Sequence, residues 1–492
     1  MDLRKGSKRI KSIYKGDKYI PGLIVNGRLW QGSPGRVALS SQFNRGYGGH
    51  KVYYGLKAYS SYNAVASSGG ILNNTSVYTD ARVYISSGGR ANDTILNGGD
   101  LTVYYGGIAS NTEAYNSNSW INVYGGVADA VTVNSRSGIV VASSGTASNV
   151  TLNPYGSMHV SRGTANIVSV DSGAVVSCNS ASILSNTTVN KGGKLLVSSG
   201  CKSLRTVENG GHVIIREGAE ADFVPHVFSN LVLSGNYNKQ IYEIATVHAN
   251  TVATDILAST LGGVAIFSGG VGSSITVSGG SLEVDGGTAY RTTLFYGGDP
   301  LQGLSNGCEV RRGGVANETS VNSGGIMFVV QDGCANNDII NSGGEINVGT
   351  DGTANNTSVC GGFMYISSGG VANNVSVCSV GRVNVLSGGF AQNTTLGGTA
   401  EIGYLNISSG GICDRINILQ NGRTNVHTLG KASNVTINSD GILSAHFAGI
   451  ADNVTVNSGG SLFISSGGTA LNVTSKTGAL ITVKNGGVIT YK

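Results

Sequence analysis

The sequence predicts an all-β chain: a single right-handed parallel β-helix, or β-solenoid, of ~19-residue coils, with a small N-terminal β-hairpin head. Three observations predict it. A small residue recurs at Ala91, Ala109, Ala128, Ala147 and Ala165, and again at Ala316, Ala335, Ala354, Ala372, Ala391, Ala432, Ala451 and Ala470, with neighbouring steps almost all of 18 or 19 residues. Runs between these marks, such as Val435-Thr436-Ile437 and Leu462-Phe463-Ile464, alternate with period two and are too short for helices. Gly-Gly pairs separate the runs, and 77 glycines against five prolines suit tight corners without breaking a strand ladder. Handedness follows the preference of parallel crossovers.

Taken in order, residues 1–60 read as a basic hairpin module. Lys5-Gly6-Ser7-Lys8 recurs as Lys15-Gly16-Asp17-Lys18, and Asn26-Gly27 between Leu23-Ile24-Val25 and Leu29-Trp30 is a hairpin signal. The module either caps the first coil or docks the chain onto a carrier assembly. Residues 61–220 are solenoid coils. Residues 221–261, with Phe223-Val224-Pro225-His226-Val227-Phe228, lose the repeat and read as an irregular excursion. Residues 262–492 return to coils and a C-terminal cap, with a smaller insertion at Tyr296-Gly297-Gly298-Asp299-Pro300-Leu301-Gln302.

A ladder follows the small residue at a fixed offset: Asn74, Asn111, Asn149, Asn186, Asn337, Asn356, Asn374, Asn393, Asn434, Asn453 and Asn472. Stacked amides can bond from coil to coil, so these are expected to be buried structural links. Several lie in glycosylation-type triplets, but the spacing already gives them a structural cause. Units such as Gly449-Ile450-Ala451-Asp452-Asn453-Val454-Thr455-Val456-Asn457-Ser458-Gly459-Gly460 resemble the passenger repeats of AIDA-type autotransporter adhesins, over roughly residues 61–220 and 262–485. The resemblance implies a β-helical attachment protein exposed at a cell surface, sometimes carrying sugars on Ser or Thr.

Charge and cysteine narrow the classes. Residues 1–57 hold twelve Lys and Arg against Asp2 and Asp17, a balance of 12 − 2 = +10, which leaves 5 − 10 = −5 for the remainder. Charged residues are only 12% of the chain, so the face is neutral and polar, unlike a nucleic-acid binder. No secretory signal and no membrane-spanning run are visible. Seven cysteines without a CxxC or a paired histidine argue against zinc, and Cys360 and Cys378, in one phase of neighbouring coils, are expected to be free thiols. The calcium nonapeptide of β-rolls does not occur, so neither metal nor cofactor is expected.

Catalysis by a β-helix lyase or hydrolase needs clustered carboxylates. The densest group, Glu208, Glu217, Glu220 and Asp222 beside His212 and Arg216, is sparse, and the chain is expected not to be an enzyme. Tyrosine is uneven instead: 14 of 21 fall in the first 155 residues. Tyr105 and Tyr124 are placed in one phase of successive coils, near Tyr84, where rings can stack on sugar faces. Tyr237 and Tyr242 in the excursion are the second candidates. The expected function is attachment, outside the cell, to a host surface or glycan. The alternative is a phage or contractile-injection-system tail fibre, trimeric in that case and docked through residues 1–60; a polysaccharide-degrading enzyme comes third.

Overall fold

A computed structural model describes residues 52–59, 62–116, 118–235, 242–296, 307–367, 369–408 and 410–492, with the backbone of eight short strands in the first 50 residues. Every regular element described is a strand. Contacts divide the chain into two units, Met1–Val224 and Pro225–Lys492, each a parallel β-solenoid.

Each coil of the N-terminal unit contributes one long and one short strand, as in Arg90–Asn97 followed by Asp100–Tyr104. The long strands stack into a 12-stranded parallel sheet and the short strands into a 10-stranded one. In the C-terminal unit the short strands form a 13-stranded sheet. Its long-strand sheet has 20 strands because several long strands are split, as in Val315–Asn317 and Ser320–Val321.

Parallel register puts like residues over like. One inward row runs Val83, Leu101, Ile121, Ile139, Met158, Val176, Leu195 and Val213 through eight coils, none more than 2% exposed. Alternation turns the intervening side chains outward, so each coil buries half of each strand and only stacking closes the core. The periodic alanines are also inward and in register. Their slot is narrow: at Gly272, which stands between Ala253 and Ala289, a Cβ would lie 2.5 Å from Ile266 Cδ1 and 2.7 Å from Ile275 Cδ1.

The asparagine period has a backbone cause. From Asn74 to Arg205 and from Asn230 to Asn472, each long strand bends two residues after the alanine slot, where φ lies between 50° and 59°. Asparagine enters this left-handed region more readily than other non-glycine residues. The same bend turns its side chain outward. The ladder is therefore exposed, contrary to the expectation of buried links, though its amides do bond: Asn374 Nδ2 donates to Asn356 Oδ1 at 3.0 Å, and Asn393 Nδ2 to Asn374 Oδ1 at 3.1 Å.

Two boundaries and one cysteine pair differ from the sequence expectation. Antiparallel pairs Arg4↔Arg9, Tyr14↔Tyr19 and Gly22↔Gln31 form the hairpin head, but parallel pairing already begins at Ala38–Leu39 and Asn44–Tyr47. Much of 221–261 is solenoid: His226–Ser229 and Val232–Leu233 pair with Thr251–Ala258, and Glu243–Val247 with Gly262–Phe267. The repeat is hard to see in the sequence there because Phe228 stands in the slot usually held by alanine, although Asn230 keeps the bend at φ 57°. Cys360 and Cys378 are not free but form a disulfide between adjacent coils, their registered Cα atoms 4.8 Å apart. A second disulfide joins Cys178 and Cys201 inside the N-terminal unit.

Candidate functional site

On the short strands Asp100–Tyr104 and Trp120–Tyr124, the inward residues Val103 and Val123 leave Tyr104 and Tyr124 on the outer face, in register. The two ring centroids are 6.3 Å apart, and Tyr84 continues the row 6.2 Å from Tyr104 with its plane tilted by 17°. The row is thus Tyr84, Tyr104 and Tyr124. Tyr105, expected in it, stands instead in the following turn, 80% exposed. The reason is a compensated shift: the corner at 116–119 has one residue more and the corner after Tyr124 one fewer. The alanine step stays 19 residues while the short strand steps by 20.

Trp120 belongs to the same outer face and lies over Gly138, where a Cβ would sit 2.3 Å from its ring. Its backbone N–H donates to Asp100 Oδ1 at 3.3 Å, and Arg82 Nε approaches the other carboxylate oxygen at 3.7 Å. Burial holds the Asp100 carboxyl above its ordinary range, partly offset by the Trp120 N–H and the Arg82 guanidinium. Flat rings beside a small polar group suit the mixed C–H and hydroxyl faces of a sugar. Among the excursion candidates Tyr242 is 46% exposed, and Tyr237 lies outside the described residues.

The sequence-selected acids do not converge. Glu208 points inward and is fully buried, Glu220 pairs with Lys202 at 2.7 Å, Asp222 accepts the backbone N–H of Arg205, and Glu217 and Arg216 lie exposed at a corner. Stacking assembles a different group that sequence order hides. Glu283 and Glu309 are registered neighbours, as are Asp285 and Arg311, although 26 residues separate each pair. Arg311 bonds Glu283, Asp285 and Glu309, and Arg312 Nη1 meets Asp285 at 2.7 Å. Burial raises the Glu283 carboxyl and Arg311 opposes the rise, so the three acids are tied to two guanidinium groups.

A second amide ladder was also hidden, one residue before the bend: Asn317, Asn336, Asn355, Asn373 and Gln392 bond in sequence over 2.6–3.0 Å and are half-buried. The signal was present as Asn-Asn pairs at 336–337, 355–356 and 373–374. Among the described residues no helix is long and apolar enough to cross a membrane.

No protein-family model matches the chain, and no curated protein matches it. Among solved structures, the chain is similar to a TibC-catalyzed hyper-glycosylated TibA fragment, with 24% identity and a TM-score of 0.34 over 74% of this chain and 99% of that one. It is also similar to the tailspike protein of E. coli bacteriophage HK620, with 11% identity and a TM-score of 0.13 over 89% of this chain and 72% of that one. For the Dettilon tailspike protein the identity is 11% and the TM-score 0.11, over 84% and 61% of the two chains.

Proposed function

We propose that this chain is a non-enzymatic attachment protein that meets a host-cell surface or its glycans laterally, through the outer face of the short-strand sheet in the N-terminal unit. The observation that carries the reading is the outer row of half-buried Tyr84 and exposed Tyr104 and Tyr124, with exposed Trp120 beside it. The core does not need these rings, since the inward neighbours already fill it. Repeated shallow contacts along a stack gain strength by multivalency. The AIDA-type repeat resemblance supports the same reading, and two disulfides suit an oxidising, extracellular setting. The acids at Glu283, Asp285 and Glu309 are engaged by Arg311 and Arg312, which favours binding over acid–base chemistry. The test is binding of the full chain to host cells and to a panel of surface glycans. Tyr104→Ala/Tyr124→Ala, shown to be folded, should lose most of the attachment; unchanged attachment removes the row, and shortening of the glycan chains replaces attachment by hydrolysis or elimination.

The charge of the N-terminal head favours a second contact. Residues 1–57 hold twelve Lys and Arg against Asp2 and Asp17, and such a density of like charge suits an acidic partner. In this reading the head holds the chain to a carrier, which for a phage or injection-system tail makes the chain its fibre. Release of the chain from native particles by rising salt, and failure of a chain lacking residues 1–31 to assemble, are the expected results.

A further inference from the structure

We infer that a groove at three successive corners of the N-terminal unit, lined by Tyr115, Asn116, Asn134, Ser135, Arg136 and Tyr155, binds an acidic pyranose, a hexuronate residue of a surface polysaccharide. The inference rests on the attachment reading and gives it a ligand class and a second site. The groove encloses about 620 Å³, within the usual range of ligand sites.

The corner is recognisable because the array repeats it. At Asn322-Ser323-Gly324-Gly325, Asn341-Ser342-Gly343-Gly344 and Asn457-Ser458-Gly459-Gly460, the first glycine takes φ of 74–75°. In the N-terminal unit the same position holds Arg136 at φ 60° and Tyr155 at φ 64°. Register confirms the match, since Arg136 N–H donates to the Tyr155 carbonyl at 3.2 Å and Asn153 Nδ2 to Asn134 Oδ1 at 2.7 Å. A large side chain in this left-handed conformation is strained relative to glycine, and strain of this kind gathers where side chains have work to do.

The walls are held and the donors are free. The Tyr155 ring lies over Gly173, where a Cβ would be 2.9 Å from its Cδ1 and Cε1. The Tyr115 hydroxyl donates to Glu113 at 2.5 Å, and Asn134 Nδ2 to the Ala114 carbonyl at 3.1 Å. The side chains of Asn116, Ser135 and Arg136, by contrast, make no hydrogen bond or ion pair to a described residue. Tyr115 stands in the column of Asn134 and Asn153, so Tyr155 lies two coil steps along, about 9.6 Å in the stacking direction, and two residues further round the corner, and the phenols stand at opposite ends of the groove. The phenols can pack against the C–H face of the pyranose, the Arg136 fork can take its carboxylate in two parallel bonds, and Asn116 and Ser135 can take hydroxyls. Glu113 on the Tyr115 side disfavours a ligand carboxylate there and so directs it to Arg136.

The test is isothermal titration of the full chain with tetragalacturonate and with its carboxyl-reduced counterpart. Arg136→Gly and Tyr155→Gly restore the residue that the array itself uses, and circular dichroism checks that both fold. Wild type should bind the acidic tetramer at least tenfold more tightly than Arg136→Gly or the reduced tetramer. Equal binding by wild type and Arg136→Gly, equal binding of the two tetramers, or no binding of the acidic one overturns the groove. Cell attachment that depends on Tyr104 and Tyr124 without uronate binding would sink the groove alone, whereas uronate binding at Arg136 without cell attachment would sink the attachment reading alone.

Discussion

Asp338 stands in the inward slot just after the bend, where other coils place Thr319, Thr357 or Val375. Its Oδ1 accepts the Thr319 N–H at 2.7 Å, but Oδ2 is buried without a hydrogen-bond partner. Burial pushes the carboxyl up to about 7 from an ordinary 3.8. An acid raised in this way is protonated in the folded chain and ionised in the unfolded chain between those two values. Its contribution is therefore complete below about pH 4 and is lost as pH rises toward 7, by on the order of 4 kcal/mol. Thermal melts of the C-terminal unit's transition should fall from pH 5 to pH 8, and Asp338→Thr, which restores the slot's usual residue, should remove most of that fall. Equal slopes for variant and wild type would mean that Asp338 is not the titrating group. The slot was legible in principle, since Asn337 fixes the phase and the next residue must point inward. Asn-Asp simply reads as surface sequence until the bend is known to reverse the alternation.

At the scale of the long strand, the left-handed residue and not the amide ladder is the main constraint. Asn374 has φ 57° and is exposed, so its two ladder bonds compete with water and contribute little. Asn374→Gly should change stability by less than about 0.5 kcal/mol, while Asn374→Leu should cost about 1–2 kcal/mol through its backbone. Denaturant melts of the pair decide the matter: if glycine is as harmful as leucine, the amide bonds dominate. This separates what the sequence could say from what it could not. The Asn and Ala periods were visible because one bend and one narrow slot recur in every coil. The tyrosine row was misplaced by one residue because an added residue at one corner and a missing one at the next cancel in the period, leaving no trace in the 19-residue step.

At the scale of the molecule, each unit carries one covalent clamp, Cys178–Cys201 in the first and Cys360–Cys378 in the second. Cys308 and Cys413 are buried thiols; burial raises both, the Cys413 thiol to about 12, and Cys334 is half-buried. Alkylation of the native, unreduced chain should therefore modify Cys334 first and leave Cys308 and Cys413 untouched until unfolding. Mass spectrometry that finds four or more thiols reactive before reduction would contradict the two pairings. The shared phase of Cys360 and Cys378 was legible though their bond was not expected, whereas the Cys178–Cys201 pairing was not legible, since Cys178 sits on a short strand and Cys201 at a corner, with no shared phase to suggest a partner.

The inward rows have a consequence for inheritance. Because Val83, Leu101, Ile121 and their successors are interchangeable occupants of one row, a tandem duplication or loss of one coil's codons leaves every remaining residue with an acceptable neighbour. Unequal recombination between such similar stretches of coding sequence should then change length in whole coils, each about 4.8 Å, while the reading frame and the interior survive. Natural variants of this chain should differ by multiples of roughly 19 residues far more often than by intermediate lengths, a quantised ruler whose increments selection can count.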